Sequence, residues 1–189
     1  MSLAYETYPI EVAGVHRELR LFAIAPGVRI AILNILGDTE LVQAASRALA
    51  EKLRAVDYDL LVTAEAKAIP LCYAVSVETQ KPYIVLRKSL KPYMGEALRS
   101  ETLSITTNET QTLFLDEKDR EMVKNKRVIL LDDVISTGST LQGMRLIMDK
   151  AQAQIVGSAA IFTEGDRAKW SDIIALGHLP VFVDKPPAD

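Results

Sequence analysis

The residues of this chain best suited to chemistry gather in one stretch, Asp132-Asp133-Val134-Ile135-Ser136-Thr137-Gly138-Ser139-Thr140, directly after the apolar run Val128 to Leu131. A run that short, bounded by charge, predicts a strand buried on both faces of a parallel sheet and ending at the two carboxylates. Leu141, Met144, Ile147 and Met148 then recur at helical spacing, so Ser136 to Thr140 should lie where the strand hands over to a helix. Unpaired N–H groups at a helix start attract anions, Gly138 lets the backbone approach a ligand, and the flanking hydroxyls add donors. Two acids would repel a bare phosphate. A ribose phosphate resolves the conflict: its vicinal hydroxyls donate to Asp132 and Asp133, its phosphate sits in the turn, and a divalent cation offsets the remaining charge. An Asp-Asp pair closing an apolar strand also occurs in metal sites of phosphotransferases and in nucleoside triphosphatases, and a Ser-Thr-Gly turn also serves as plain helix capping. The chain contains no Gly-x-x-x-x-Gly-Lys-Ser/Thr, which argues against the triphosphatase reading.

The elements that must position this stretch follow from periodicity. Tyr8 to Val12, Leu19 to Ile24 and Val28 to Leu33 alternate like strands, the last two separated by the Pro26-Gly27 turn, and predict a small antiparallel appendage. Asp38 is a candidate N-cap for a helix whose core face carries Leu41, Ala44, Ala45, Ala48, Leu49 and Leu53. Tyr58 to Thr63 reads as a strand, Ile69 to Val77 as a helix, Tyr83 to Leu86 as a strand, Ile155 to Phe162 as another, and Pro180 to Val183 as the last of a parallel α/β sheet. Segments that follow the strands should converge outside their carboxyl ends. These are Thr63 to Lys67, Arg87-Lys88 with Lys91, and Asp132 to Thr140, the three cations being suited to a pyrophosphate unless they form a solvated loop end. Between Lys88 and Glu117, alternation around Thr107 to Thr110 predicts a hairpin with Gly95 as a hinge, an excursion long enough to serve as a lid.

Composition narrows the function classes. At 189 residues and 49% apolar content the chain is one ordinary domain with a substantial core. Twenty-two basic against 25 acidic residues give a net charge of −3, which points to neither nucleic acid nor membrane as a partner. The single cysteine, Cys72, lies in an apolar run and is expected in the core, while His16 and His178 are too far apart to suggest a zinc set or a triad. With no signal peptide and no apolar span of membrane length, a soluble cytoplasmic location is expected; Met1-Ser2-Leu3 reads as a cloning remnant and Lys185 to Asp189 as a frayed tail.

Val128 to Thr140 resembles the phosphoribosyl-pyrophosphate (PRPP) motif of type I phosphoribosyltransferases, an apolar strand followed by two acids and a Thr-Gly turn. Leu33-Asn34 with Asp38 and Leu41, Thr63 to Pro70, and Arg87 to Leu90 are similar to the adenine and xanthine branch of that family and to the ligand-sensing domain of purine-operon repressors. The resemblance implies an open parallel sheet flanked by helices at 38–189, a β hood at 1–37 and a flexible hairpin lid at 88–117. It implies transfer of ribose 5-phosphate from PRPP to a purine, with pyrophosphate leaving together with Mg²⁺, in a protein that is commonly a homodimer.

Residue by residue, the resemblance makes Asp132 and Asp133 the ribose ligands and, through the substrate, indirect partners of Mg²⁺. Ser136, Thr137, Gly138, Ser139 and Thr140 grip the 5′-phosphate. Glu65, Ala66 and Lys67 contact pyrophosphate with Arg87, Lys88 and Lys91, although the glycine-containing form of that loop is missing. Leu33 and Asn34 face the base, with Phe162 and Glu164 at the end of a later strand. The xanthine enzymes carry a lysine near Glu164; an acid suits an exocyclic amine and so adenine, whereas a plain loop acid would carry no such meaning. Ser136 stands where some relatives have an acid acting as general base, leaving Glu96 and Glu101 on the lid as candidates. A xanthine-type enzyme and a PRPP sensor without chemistry remain alternatives, although nothing before Asp38 reads as helix-turn-helix.

Overall fold

The computed structural model describes residues 5–103 and 110–184. Residues 1–4 and 185–189, with the expected remnant and tail, and residues 104–109, with most of the expected hairpin turn, lie outside them. Strands β1 (Thr7–Val12), β2 (Val15–Ala25) and β3 (Val28–Ile32) form an antiparallel meander closed by the Pro26-Gly27 turn. Helix α1 (Thr39–Leu53) starts at Asp38, whose carboxylate accepts from the Leu41 N–H at 3.1 Å and is clasped by Arg17 from β2 at 2.7 Å. One side chain thus caps the helix and ties the meander to it.

Next come β4 (Leu60–Ala64), α2 (Ile69–Thr79), β5 (Tyr83–Leu86), a hairpin of β6 (Leu98–Leu103) and β7 (Thr110–Leu115), and α3 (Glu117–Val123). The chain finishes with β8 (Arg127–Ile135), α4 (Ser139–Lys150), β9 (Gln154–Glu164), β10 (Ile174–Leu179) and β11 (Val181–Val183). Five strands make a parallel sheet in the order β10-β9-β8-β4-β5, with β8 at its centre. Along β8 the side chains alternate between two cores: Ile129 and Leu131 pack with α1, α2 and the meander, while Val128 and Leu130 pack with α4 and the hairpin. Cys72 is fully buried, and burial pushes its thiol well above the ordinary range. No helix among the described residues is long and apolar enough to cross a membrane.

Three expectations are corrected. The central strand does not stop at the carboxylates; it runs to Ile135 because Val134 and Ile135 still pair with Phe162 and Thr163 of β9. The last strand of the parallel sheet is Ile174–Leu179, hidden in sequence by Gly177, whose place a Cβ could not share: it would come within 2.5 Å of the Phe162 ring. Pro180 follows without an N–H for the ladder, and Val181–Val183 crosses to pair antiparallel with β3. The hood is therefore built from both ends of the described chain, not from 1–37 alone. The arms of the hairpin pack against the rest of the chain. Leu113 and Leu115 are fully buried, the Ser100 hydroxyl donates to Gly143 O at 2.9 Å, and Lys150 donates to Arg99 O at 2.6 Å, so β6 and β7 are fastened to α4.

If the arms are framework, Leu113→Ala should lose about 2–5 kcal/mol in urea unfolding, the cost of a cavity in a packed core. A loss below about 0.5 kcal/mol, as for an exposed site, would show that the arms move freely.

Candidate functional site

Strands β4, β5, β8 and β9 end on the same edge of the sheet at Ala64, Leu86, Ile135 and Glu164, and β3 of the hood closes over part of it. Two adjoining cavities occupy this edge. The smaller, about 40 Å³, is lined by Asp132, Val134 and the whole turn Ser136 to Leu141. Gly138 holds φ +84° at the cap position of α4, and no side chain caps the helix there, which leaves first-turn N–H groups available to a ligand. Ser139 N–H reaches only the Thr137 hydroxyl, at 3.4 Å. The Thr140 hydroxyl is engaged by the Gln111 side chain at 3.2 Å, which ties the turn to β7.

The second cavity, about 160 Å³, brings the hood and the sheet together: Ile30 to Leu33 form one wall, and Lys67, Asp133, Ser136 and Glu164 face it. Neighbouring residues on a strand point to opposite faces, so the two acids do different work. Asp132 borders the phosphate-sized cavity and Asp133 the hood cleft. Asp133 is 6% exposed, and the Lys67 ammonium lies 3.1 Å from its Oδ2, close enough for an ion pair though not aligned as a hydrogen bond. Lys67 also donates to Leu33 O at 3.2 Å, so one cation links the hood to the acid. Asp132 accepts from the Asp133 N–H at 2.9 Å. Burial, then the neighbouring Asp133 charge, raises the Asp132 carboxyl well above the ordinary range. Glu164, 8% exposed, is raised by burial alone, and no cation pairs with it among the described residues.

The pyrophosphate candidates divide. Glu65 pairs with the Arg87 guanidinium and accepts from the Lys88 N–H at 2.8 Å, and Arg87 also reaches the Tyr93 hydroxyl at 3.2 Å. Arg87 is therefore largely neutralised, while Lys88 and Lys91 have no ion-pair partner among the described residues. Ala66 sits in the turn between Glu65 and Lys67. Four other expected residues are not brought to the cleft. Phe162 is core, 4% exposed and covered by Gly177. Asn34 is exposed and turns its amide oxygen to the Leu36 N–H at 3.3 Å, leaving Leu33 as the hood contact. Glu96 is held near α3, where its N–H donates to Glu117 and its carbonyl accepts from Arg120; Glu101 points outward and pairs with Arg99 at 2.7 Å. Neither meets the aspartates: Glu96 precedes β6 and is tied to α3, and along β6 the inward positions are Ser100 and Thr102, which turns Glu101 outward.

Sequence reasoning passed over the 3₁₀ turn Arg167–Trp170, which lies against the phosphate-sized turn. The signal available was the lone tryptophan of the chain in an otherwise polar segment. A larger cleft of about 530 Å³ lies at the opposite edge of the sheet, between the ends of α1 and α2, where Arg47, Arg54 and Lys81 alternate with Glu51, Asp57 and Glu78. No strand ends there, and its balanced charges select no ligand.

The raised Asp132 carboxyl has a consequence for stability. Well below its ordinary value of 3.8 the group is protonated in folded and unfolded chains alike and contributes nothing. As pH climbs past that value the unfolded chain ionises while the folded chain resists, so stability falls until the raised folded value is passed. Asp132→Asn should thus be more stable than the parent at pH 7, by a margin that shrinks toward pH 4 in a series of urea titrations. A variant less stable at every pH would contradict the strained-carboxylate reading.

The phosphoribosyl transferase domain family matches residues 33–186, which take in the parallel sheet, the small cavity and all of the hood cleft except Ile30 to Ile32. The purine biosynthesis transcriptional repressor PurR of Bacillus subtilis is 28% identical over 134 residues, covering 71% of this chain and 46% of that protein. A hypoxanthine/guanine phosphoribosyltransferase of Methanococcus voltae is 36% identical over 108 residues, covering 57% and 54%. The chain thus spans about half the length of these curated relatives. The solved adenine phosphoribosyltransferase of Thermoanaerobacter pseudethanolicus superposes with a TM-score of 0.70 at 19% identity, over 85% of this chain and 95% of that one, so the fold is shared. With the strand-to-helix turn and paired acids inside the matched region, the chain belongs to the phosphoribosyl transferase domain family.

Proposed function

We propose that this chain is a purine phosphoribosyltransferase that moves ribose 5-phosphate from PRPP to a purine ring nitrogen, releases pyrophosphate and prefers adenine. The observation that carries the reading is the pair of adjoining cavities. One is a phosphate-sized cradle of helix-start N–H groups and hydroxyls; the other is a cleft with an apolar hood wall, a paired acid and a buried carboxyl. Phosphate, ribose and base laid across them in that order meet donors, acceptors and apolar surface in turn.

In this mechanism the bond from the anomeric carbon to pyrophosphate breaks as the bond to the purine nitrogen forms, and the sugar gains oxocarbenium character. Asp133 accepts from a ribose hydroxyl while Lys67 pairs with its other side, and Asp132 steadies the sugar from the other face. Lys88 and Lys91 answer the charge of the departing pyrophosphate, with Glu65 fixing Arg87 beside them. Ile30 to Leu33 exclude water from the reacting carbon. The family implies Mg²⁺, and the donor set fits a cation held mainly by its ligand. The described residues include no cluster of three or more possible ligands, whereas Asp132 and Asp133 supply hard oxygens of the kind that supplement substrate phosphates and water. Those two acids would hold it through the substrate, where it supplies neutralisation of the leaving group.

Adenine is favoured by Glu164, which lines the hood cleft and makes no ion pair among the described residues. An acceptor there suits the exocyclic amine of adenine and opposes the carbonyl that hypoxanthine, guanine and xanthine carry at the same ring position. A homodimer belongs to the proposal as well: α2 is apolar on its outer side, with Tyr73 and Val77 about half exposed, at 57% and 50%. A second reading, PRPP sensing without chemistry, draws on the likeness to PurR.

Pyrophosphate release is measured with PRPP and Mg²⁺ against adenine, xanthine, hypoxanthine and guanine in parallel. Release with adenine alone is expected; release with the oxopurines would remove the role given to Glu164, and PRPP binding by calorimetry without release would favour the sensor. Asp133→Asn should weaken PRPP binding or transition-state stabilisation by about 1.5–3 kcal/mol, the range for a charge-assisted hydrogen bond, with an unchanged melting profile as control. Unaltered kinetics would remove the ribose assignment.

A further inference from the structure

The phosphate-sized turn is held from outside as well as from within the sheet. After β9 the chain makes the 3₁₀ turn Arg167–Trp170, begun by Asp166 accepting from the Ala168 N–H at 3.0 Å. The Trp170 indole N–H donates to Glu164 O at 3.0 Å, which anchors the ring to the end of β9. The ring then lies on Gly138 so closely that a Cβ there would come within 2.6 Å of Cη2. Beside it the Lys169 ammonium donates to Thr137 O at 3.1 Å and stands 4.4 Å from the indole centroid. Neither Lys169 nor Trp170 lines the small cavity; both touch the backbone of residues that do.

Thr137 O and the Gly138 N–H belong to one peptide group. A cation on the carbonyl polarises that peptide and makes its N–H a stronger donor, and the ring fixes the left-handed Gly138 on which the start of α4 depends. We propose that Lys169 and Trp170 are positioning residues that preorganise this turn for a sugar phosphomonoester without touching the ligand. The inference rests on the phosphate reading of the turn given under the proposed function. It also gives the base-side and phosphate-side segments a shared support, because the indole is bonded to Glu164 O and packed on Gly138.

The test titrates ribose 5-phosphate by calorimetry into the parent protein, Lys169→Met, Lys169→Arg and Trp170→Phe, and follows the emission of the parent, whose only tryptophan is the one in question. Amide exchange over residues 137–141 is read on the ligand-free proteins. Lys169→Met, a surface change that should not disturb folding, is expected to weaken binding about three- to tenfold, the net worth of one ordinary hydrogen bond, and to speed exchange in the turn. Lys169→Arg should restore both, and the parent's emission should shift on titration. If the parent binds ribose 5-phosphate and all variants match it in affinity and exchange, the positioning role is overturned while the phosphate site stands. If the parent binds none, the phosphate reading itself fails.

Discussion

Two adjacent carboxylates near the carboxyl end of the central strand set the terms for the rest of this molecule. Taking charge out of water costs several kcal/mol per ion unless a partner answers it. Only Asp133 has such a partner, the Lys67 ammonium, and Lys67 comes from the loop after β4 while also holding Leu33 O of the hood. Asp132 is left with one backbone N–H and a carboxyl shifted toward its neutral form. A hydrophobic pair would serve the sheet better, so the acids are a local cost, the pattern that marks a functional-site candidate. The surrounding architecture is consistent with such a site. The sheet supplies rigidity on both faces of β8, and the loops after its neighbours supply the partners.

Charge elsewhere at this edge is arranged so that the acids do not act alone. Glu65 organises Arg87 and the Lys88 backbone, and Lys88 and Lys91 make no ion pair among the described residues. Arg17 binds Asp38 and Glu40, fastening the meander to the start of α1. At the far end of the sheet Arg127 joins Asp57 and Asp59, a pairing that holds the Asp59 carboxyl well below the ordinary range and closes the bottom of the central strand. There both acids have a guanidinium partner. The acids at the upper edge do not all have a cationic partner among the described residues, and that imbalance separates the two ends of the sheet as candidate sites.

Much of this was readable from residue order because strong local signals agreed with the fold. The apolar run before Asp132, the hydroxyl turn and the helical spacing after Leu141 all describe one strand-turn-helix unit, and it formed as expected. The misreadings share a cause: each depended on which neighbour a segment met. Gly177 hid a strand because its missing side chain only makes sense against Phe162. Pro180 to Val183 reads as a strand in either sheet, and nothing local says that it leaves the parallel one to close the hood. Glu96 and Glu101 were drawn by chemistry alone, with no way to see that strand alternation turns Glu101 outward. Asp132 and Asp133, equivalent on paper, part company only because β8 continues past them and pleats them to opposite faces.

That separation of the aspartates gives the hood its importance. In the proposed reading a sugar would lie across the strand between the two acids, and the cleft wall formed by Ile30 to Leu33 borders the Asp133 side. The wall is not self-supporting. β3 is held on its outer edge by β11, and Arg29 of β3 pairs with Glu6 and with Asp184 at 2.9 Å, so strands from both ends of the described chain brace it. Lys67 reaches the same wall from below at Leu33 O. Any shift of the hood would therefore move the cation that pairs with Asp133, which makes the hood wall and the acid parts of one mechanical unit.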